Sequence, residues 1–148
     1  MKTLLATISF LLLLIFFSCK NSNLTSTADR KTKMLIAHSW EIEHIYFDRA
    51  GDITEYERGS INNTGANYDT VRFTFYKDGT GKNVDGNGDV HNISWKFTTP
   101  DHDNMQLIIY QNPVYTTTWS MIDISKKAIF QTNANDGILE TGKLIPTK

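Results

Sequence analysis

The chain has 148 residues, 15 Lys and Arg against 16 Asp and Glu, and one cysteine. That length suits one compact domain rather than two, and a near-neutral balance without a basic run argues against nucleic acid as the main partner. A lone cysteine excludes an intrachain disulfide and any cysteine-rich zinc or iron–sulfur site.

The first element is an address. Lys2 gives a positive start, and Leu4 to Phe17 follows without a charge. The run is too short for a bilayer span, which needs roughly 20 apolar residues, and has the length of a secretory signal core. It ends at Ser18-Cys19, which resembles the lipobox of bacterial lipoproteins. The resemblance implies removal of residues 1–18, acylation of Cys19 and a lipid bilayer as partner. It also implies a place in the bacterial cell envelope, at the outer membrane. Several acyl chains would hold a small domain firmly, since each buried methylene adds about 0.8 kcal/mol. Residues 19–28 then form a small, polar, flexible tether, and residues 29–148 form the domain.

Beyond the signal, five leucines stand against 33 Val, Ile and Thr, a strand-forming composition. A short helix comes first, with Thr27 as cap and Met34, Leu35 and Ala37 as its apolar side. Ser39 to Phe47 follows as a strand, and its alternation places Trp40, Ile42, His44 and Tyr46 on one face. Ile53 to Arg58 returns across Gly51-Asp52, and residues 59–69 make the longest loop. Thr70 to Lys77 has Val71, Phe73 and Phe75 on one face and Arg72 on the other. Asp78-Gly79 marks a hairpin to Thr80–Val84, and a second turn at residues 85–88 leads to Asp89–Thr98. That strand puts His91, Ile93, Trp95 and Phe97 together. Met105–Gln111, Tyr115–Ser125, Lys127–Asn133 and Ile138–Ile145 complete the set, with the last turn at Asn135-Asp136-Gly137. These short connections leave no room for crossover helices. About eight strands in serial hairpins predict an all-β, antiparallel, up-and-down barrel, either filled or holding one small ligand. A two-sheet sandwich is the alternative.

Leu35 followed by Trp40, the run Phe75-x-x-Asp78-Gly79-Thr80-Gly81, and Trp95 resemble lipocalin-like lipoproteins of Bacteroidetes-type bacteria. The resemblance spans about residues 30–146. It implies a lipocalin-like barrel whose leading Trp closes one end, and a binding or structural module of the envelope.

Catalysis is not supported. The sequence lacks a Gly-x-Ser-x-Gly elbow, and the paired carboxylates Glu41 and Glu43 fall on a face expected to be solvated. Residues 85–89 open like a calcium loop but carry Val90 and Lys96 where the helix-flanked loop needs Gly and Glu, so a tight turn is expected. The segment Gly79–Lys82 lacks phosphate-loop spacing. No cofactor is expected. His102, between two aspartates, reads as a solvated turn residue. His44 and His91 on apolar faces lack a third metal ligand, but two imidazoles among aromatics suit a small-molecule cavity. Trp40, Phe73, Phe75, Trp95, Phe97 and Trp119 are expected to point inward, mostly as core. Tyr56, Tyr68, Tyr110 and Tyr115 near strand ends could form a carbohydrate-stacking rim. The expected ligand-binding set is therefore His44, Tyr46, Arg72, His91, Trp95 and Trp119, around a small apolar or amphipathic molecule. The competing expectation is a non-enzymatic structural or interaction module with a filled core. Nothing in the sequence sets an oligomeric state.

Overall fold

A computed structural model describes residues 27–49, 51–64, 66–133 and 139–147. The signal, Cys19, most of the tether and the turn at 135–137 lie outside the described residues.

The chain begins with α1 (Thr27–Leu35), which has Asp29 in its first turn and Lys33 in its last, both favourable to the helix dipole. Thr27 and Ala28 belong to this helix. Ala28, Lys31 and Leu35 share the buried face, at the spacing that brings side chains to one side of a helix.

The strands are β1 (Ser39–Arg49), β2 (Asp52–Glu57), β3 (Arg72–Phe75), β4 (Thr80–Val84), β5 (Val90–Phe97), β6 (Asn104–Tyr110), β7 (Tyr115–Ile124), β8 (Ala128–Asn133) and β9 (Leu139–Pro146). From β3 to β9 each pairs antiparallel with the next, and β9 returns to pair with β1. The ring is a closed eight-stranded up-and-down barrel, so the sandwich alternative falls away. Closure leaves the ring without a free sheet edge.

The ninth strand, β2, lies end to end with β3 along the same side of β1. Residues 44–49 of β1 pair with β2, and residues 39–41 with β3. Together they amount to one barrel strand from which residues 58–71 are looped out. The backbone NH of Arg58 still bonds the Glu43 carbonyl at 2.9 Å, extending the ladder to the break.

Strand β1 departs from simple alternation. Its pairing with β9 shifts register between Ile42 and His44, a β-bulge at Glu43. One extra residue reverses which side chains face inward beyond it. Trp40 and Ile42 are buried before the bulge, and Ile45 after it. His44 and Tyr46 are thereby turned to the outer face, a correction to their expected inward placement. The bulge also separates the two carboxylates. Glu41 pairs with Arg72 at 2.9 Å, while Glu43 binds Lys127 at 2.8 Å and Lys143 at 2.7 Å. The two lysines hold the Glu43 carboxyl below its usual range despite some burial.

Helix α1 plugs one end of the barrel. The indole NH of Trp40 donates to the Leu35 carbonyl at 2.8 Å, and both residues are fully buried. The β5–β6 turn grips the helix: Lys31 pairs with Asp103, and Thr32 Oγ1 lies 3.0 Å from His102 Nδ1. His102 is not a solvated turn residue. It takes a left-handed φ of 59° and stacks on Phe97 with ring centroids 4.2 Å apart.

The Asp78-Gly79 hairpin forms as expected. Gly79 takes φ 83°, Thr80 Oγ1 donates to Asp78 at 2.7 Å, and the Trp95 indole NH donates to the Thr80 carbonyl at 2.9 Å. The 85–89 segment is likewise a turn, in which Asp85 Oδ1 accepts from the backbone NH of Asn87 and Asp89.

Candidate functional site

The half of the barrel nearest α1 is filled by Trp40, Phe75, Ile93, Trp95, Met105 and Leu107, all buried. The other half contains a cavity of about 220 Å³. An apolar cavity of roughly 150 Å³ is enough to hold benzene, so this space fits a single ring with a short substituent.

The cavity is lined mainly by apolar side chains. Ile42 and Ile45 come from β1, Phe73 from β3, Leu107 and Ile109 from β6, Trp119 from β7 and Phe130 from β8. Trp119 and Phe130 stack with centroids 4.1 Å apart and planes 12° from parallel, and Phe73 and Trp119 form a T-shaped pair with centroids 5.2 Å apart. The Phe130 ring lies directly over Gly142, in space that a Cβ there would need. That glycine lets a flat aromatic layer sit against β9.

Polar groups come from the loops and strand ends: Tyr68, Asn83, Asp85, Tyr115, Thr117 and Glu140. Glu140 is two residues before Gly142 on β9, and pairs across the sheet with Phe47 and Thr132. Strand parity therefore carries it inward, level with the Thr117–Thr132 hydroxyl contact of 2.9 Å. Burial pushes its pKa from 4.5 up to about 7, since an apolar enclosure disfavours the charged form. Among the described residues no hydrogen bond or neighbouring charge offsets that effect.

Tyr68 reaches the cavity because the looped-out segment is tied down on both sides. Arg58 donates from Nε to the Ile42 carbonyl at 2.7 Å and from Nη1 to the Asp69 carbonyl at 3.1 Å. Arg72 Nη1 donates to the same Asp69 carbonyl at 2.7 Å, and Tyr56 OH donates to the Asp69 carboxylate at 2.6 Å. Burial and that bond push the Tyr56 phenol up to about 12. Thr70 Oγ1 spans to the carbonyls of Asp85 and Gly86 at 3.0 and 2.9 Å. Burial also raises the Tyr68 phenol, and the nearby Glu140 charge adds to it.

Of the six residues expected to bind ligand, Trp119 alone lines this cavity. Trp95 is packed in the filled half, between Phe75 and Phe97. His91 points inward at a strand end, where its Nε2 lies 2.9 Å from Asp85 Oδ2 and helps keep that carboxyl below its usual range. His44 is on the outer surface, 2.8 Å from Glu55, and Tyr46 shares that face. Arg72 is held by Glu41 and by loop carbonyls, so it positions the loop and does not line the cavity. Tyr68 and Tyr115, expected in a rim, do line it. Sequence reasoning missed Glu140. The available signal was parity, because Glu140, Gly142 and Leu144 alternate on the face that holds Leu144 in the core.

No family model matches the chain, and no curated protein matches it. Among solved structures, a redesigned β-barrel is similar at a TM-score of 0.43 and 13% identity, covering 80% of this chain and 96% of that one.

Proposed function

We propose that this protein is a membrane-anchored lipoprotein of the bacterial cell envelope, at the outer membrane, whose lipocalin-like barrel holds a small apolar or amphipathic molecule. The cavity carries this reading. A barrel needing only stability would fill its interior, because an empty apolar space forfeits packing at about 24 cal/mol per Å³. The sequence supports the anchor through the apolar run ending at Ser18-Cys19. Glu41 and Glu43, the paired carboxylates of β1, are engaged in ion pairs with Arg72, Lys127 and Lys143 and do not line the cavity.

Two measurements test the proposal. Titration with small neutral aromatics such as benzyl alcohol should saturate, and Ile109→Trp, whose larger ring takes up part of the cavity, should weaken binding. Wild-type protein that never saturates, or binding indifferent to Ile109→Trp, refutes the cavity as the site. Metabolic labelling with a fatty acid should be lost in Cys19→Ala; equal labelling of both sinks the anchor.

A second reading, an interaction module, is favoured by Val90, Val114, Tyr110 and Tyr115, which are 63, 59, 52 and 46% exposed. They come from the start of β5, the end of β6 and the turn into β7. Failure of the titration together with retained labelling would bring this surface forward.

A further inference from the structure

We propose that the cavity selects a protonated amine carried on a small apolar body, with Glu140 as its counter-ion. This deepens the ligand-binding reading above and rests on it.

The charge pattern of the lining points to a cation. Among the described residues that line the cavity, Asp85 and Glu140 carry carboxyls and none is Lys or Arg. Asp85 already has His91 as partner at 2.9 Å. The nearby cations are engaged elsewhere: Arg58 and Arg72 with Glu41 and the loop carbonyls, and Lys127 and Lys143 with Glu43. Glu140 therefore offers a carboxyl that no described cation meets. Its surroundings suit an ammonium group as well, because Tyr68 and Tyr115 line the same cavity and tyrosine rings attract cations. A carboxylate ligand would instead meet two acids in a low-dielectric enclosure.

Proton balance follows. Below neutral pH the empty site holds Glu140 as the neutral acid. An incoming ammonium displaces that proton to solvent and leaves an ion pair. The titratable groups that share the enclosure are Tyr68, Tyr115 and Asp85 with its His91. The Tyr68 phenol, raised by burial, stays neutral across pH 5.5–8, and the Asp85 carboxyl, held low, stays ionised.

The test compares three probes on one ring, benzylamine, benzyl alcohol and benzoate, against the mature protein and Glu140→Gln. At pH 8 the amine should bind at least about tenfold tighter than the alcohol, and benzoate weakest. Glu140→Gln should bring amine and alcohol within about twofold while still binding the alcohol. Amine affinity in the wild type should fall roughly thirtyfold from pH 8 to pH 5.5, with proton release on binding at the lower pH. If alcohol binds as well as amine, or Glu140→Gln leaves the preference intact, the counter-ion role is overturned while the cavity stands. If none of the three binds, the cavity reading falls with it.

Discussion

Replacing Trp40 with alanine should lower stability by about 3–5 kcal/mol, enough to unfold much of the population of a marginally stable domain. Trp40 is fully buried, and its indole NH carries the bond to the Leu35 carbonyl that seats α1 in the barrel end. Truncation leaves a void the size of an indole and an unmet carbonyl at a helix C-terminus, where last-turn acceptors already lack intrahelical partners. Trp40 also pairs with Phe73 on one side and Pro146 on the other, at the closure of the ring. The void therefore sits where first and last strands meet. Trp40→Phe, which keeps a ring and loses the donor, should cost less than half as much. Urea unfolding followed by far-UV circular dichroism measures both. A loss under about 1 kcal/mol for Trp40→Ala would show that the helix plug is not a stabilising element.

Glu140 should make the empty protein less stable as pH rises, the reverse of an ion-paired carboxylate. Its folded-state pKa of about 7 lies above the ordinary 4.5, so the folded state binds the proton more tightly than the unfolded chain does. The advantage is complete below about pH 4.5 and is lost as pH rises through 7. Across that window the shift corresponds to a loss on the order of 2–3 kcal/mol. Glu140→Gln, which keeps the shape and cannot ionise, should flatten the profile and leave the variant more stable than wild type at pH 8. Carboxyls held low by their partners, Glu43, Asp78, Asp85 and Asp101, act at the other end. They stabilise above about pH 4 and lose that effect as pH falls, below the range in which Glu140 acts. Unfolding of the two proteins from pH 4.5 to 8 is the measurement. Parallel profiles would place Glu140 in water.

The same two residues show how far the sequence could be read. Trp40 was legible as an inward aromatic, because it follows a short helix and opens an apolar alternation, and its place at the barrel end was implied by the family resemblance. The hairpin residues Asp78 and Gly79 were legible too, since a turn depends on local backbone chemistry. Alternation along β5 held, and His91, Ile93, Trp95 and Phe97 share one face. In β1 it failed. A bulge adds one residue without a compositional mark, and the faces of His44 and Tyr46 depend on register with β9, about a hundred positions away. The split between β2 and β3 was legible, but that both share one side of β1 as a single barrel strand was hidden in the same way, since the 14 residues between them are held by side chains reaching back to β1 and across to the β4–β5 turn.

By itself, then, the sequence determined an antiparallel, strand-rich chain of short hairpins behind a helix and a leading Trp, because those are consequences of local propensity and side-chain period. Only the tertiary structure decided which half of the barrel is filled, which faces turn inward past the bulge, and that Glu140 stands in an apolar enclosure beside Tyr68. Those outcomes depend on register and on desolvation. Both are properties of the closed ring, and no segment of the chain possesses either alone.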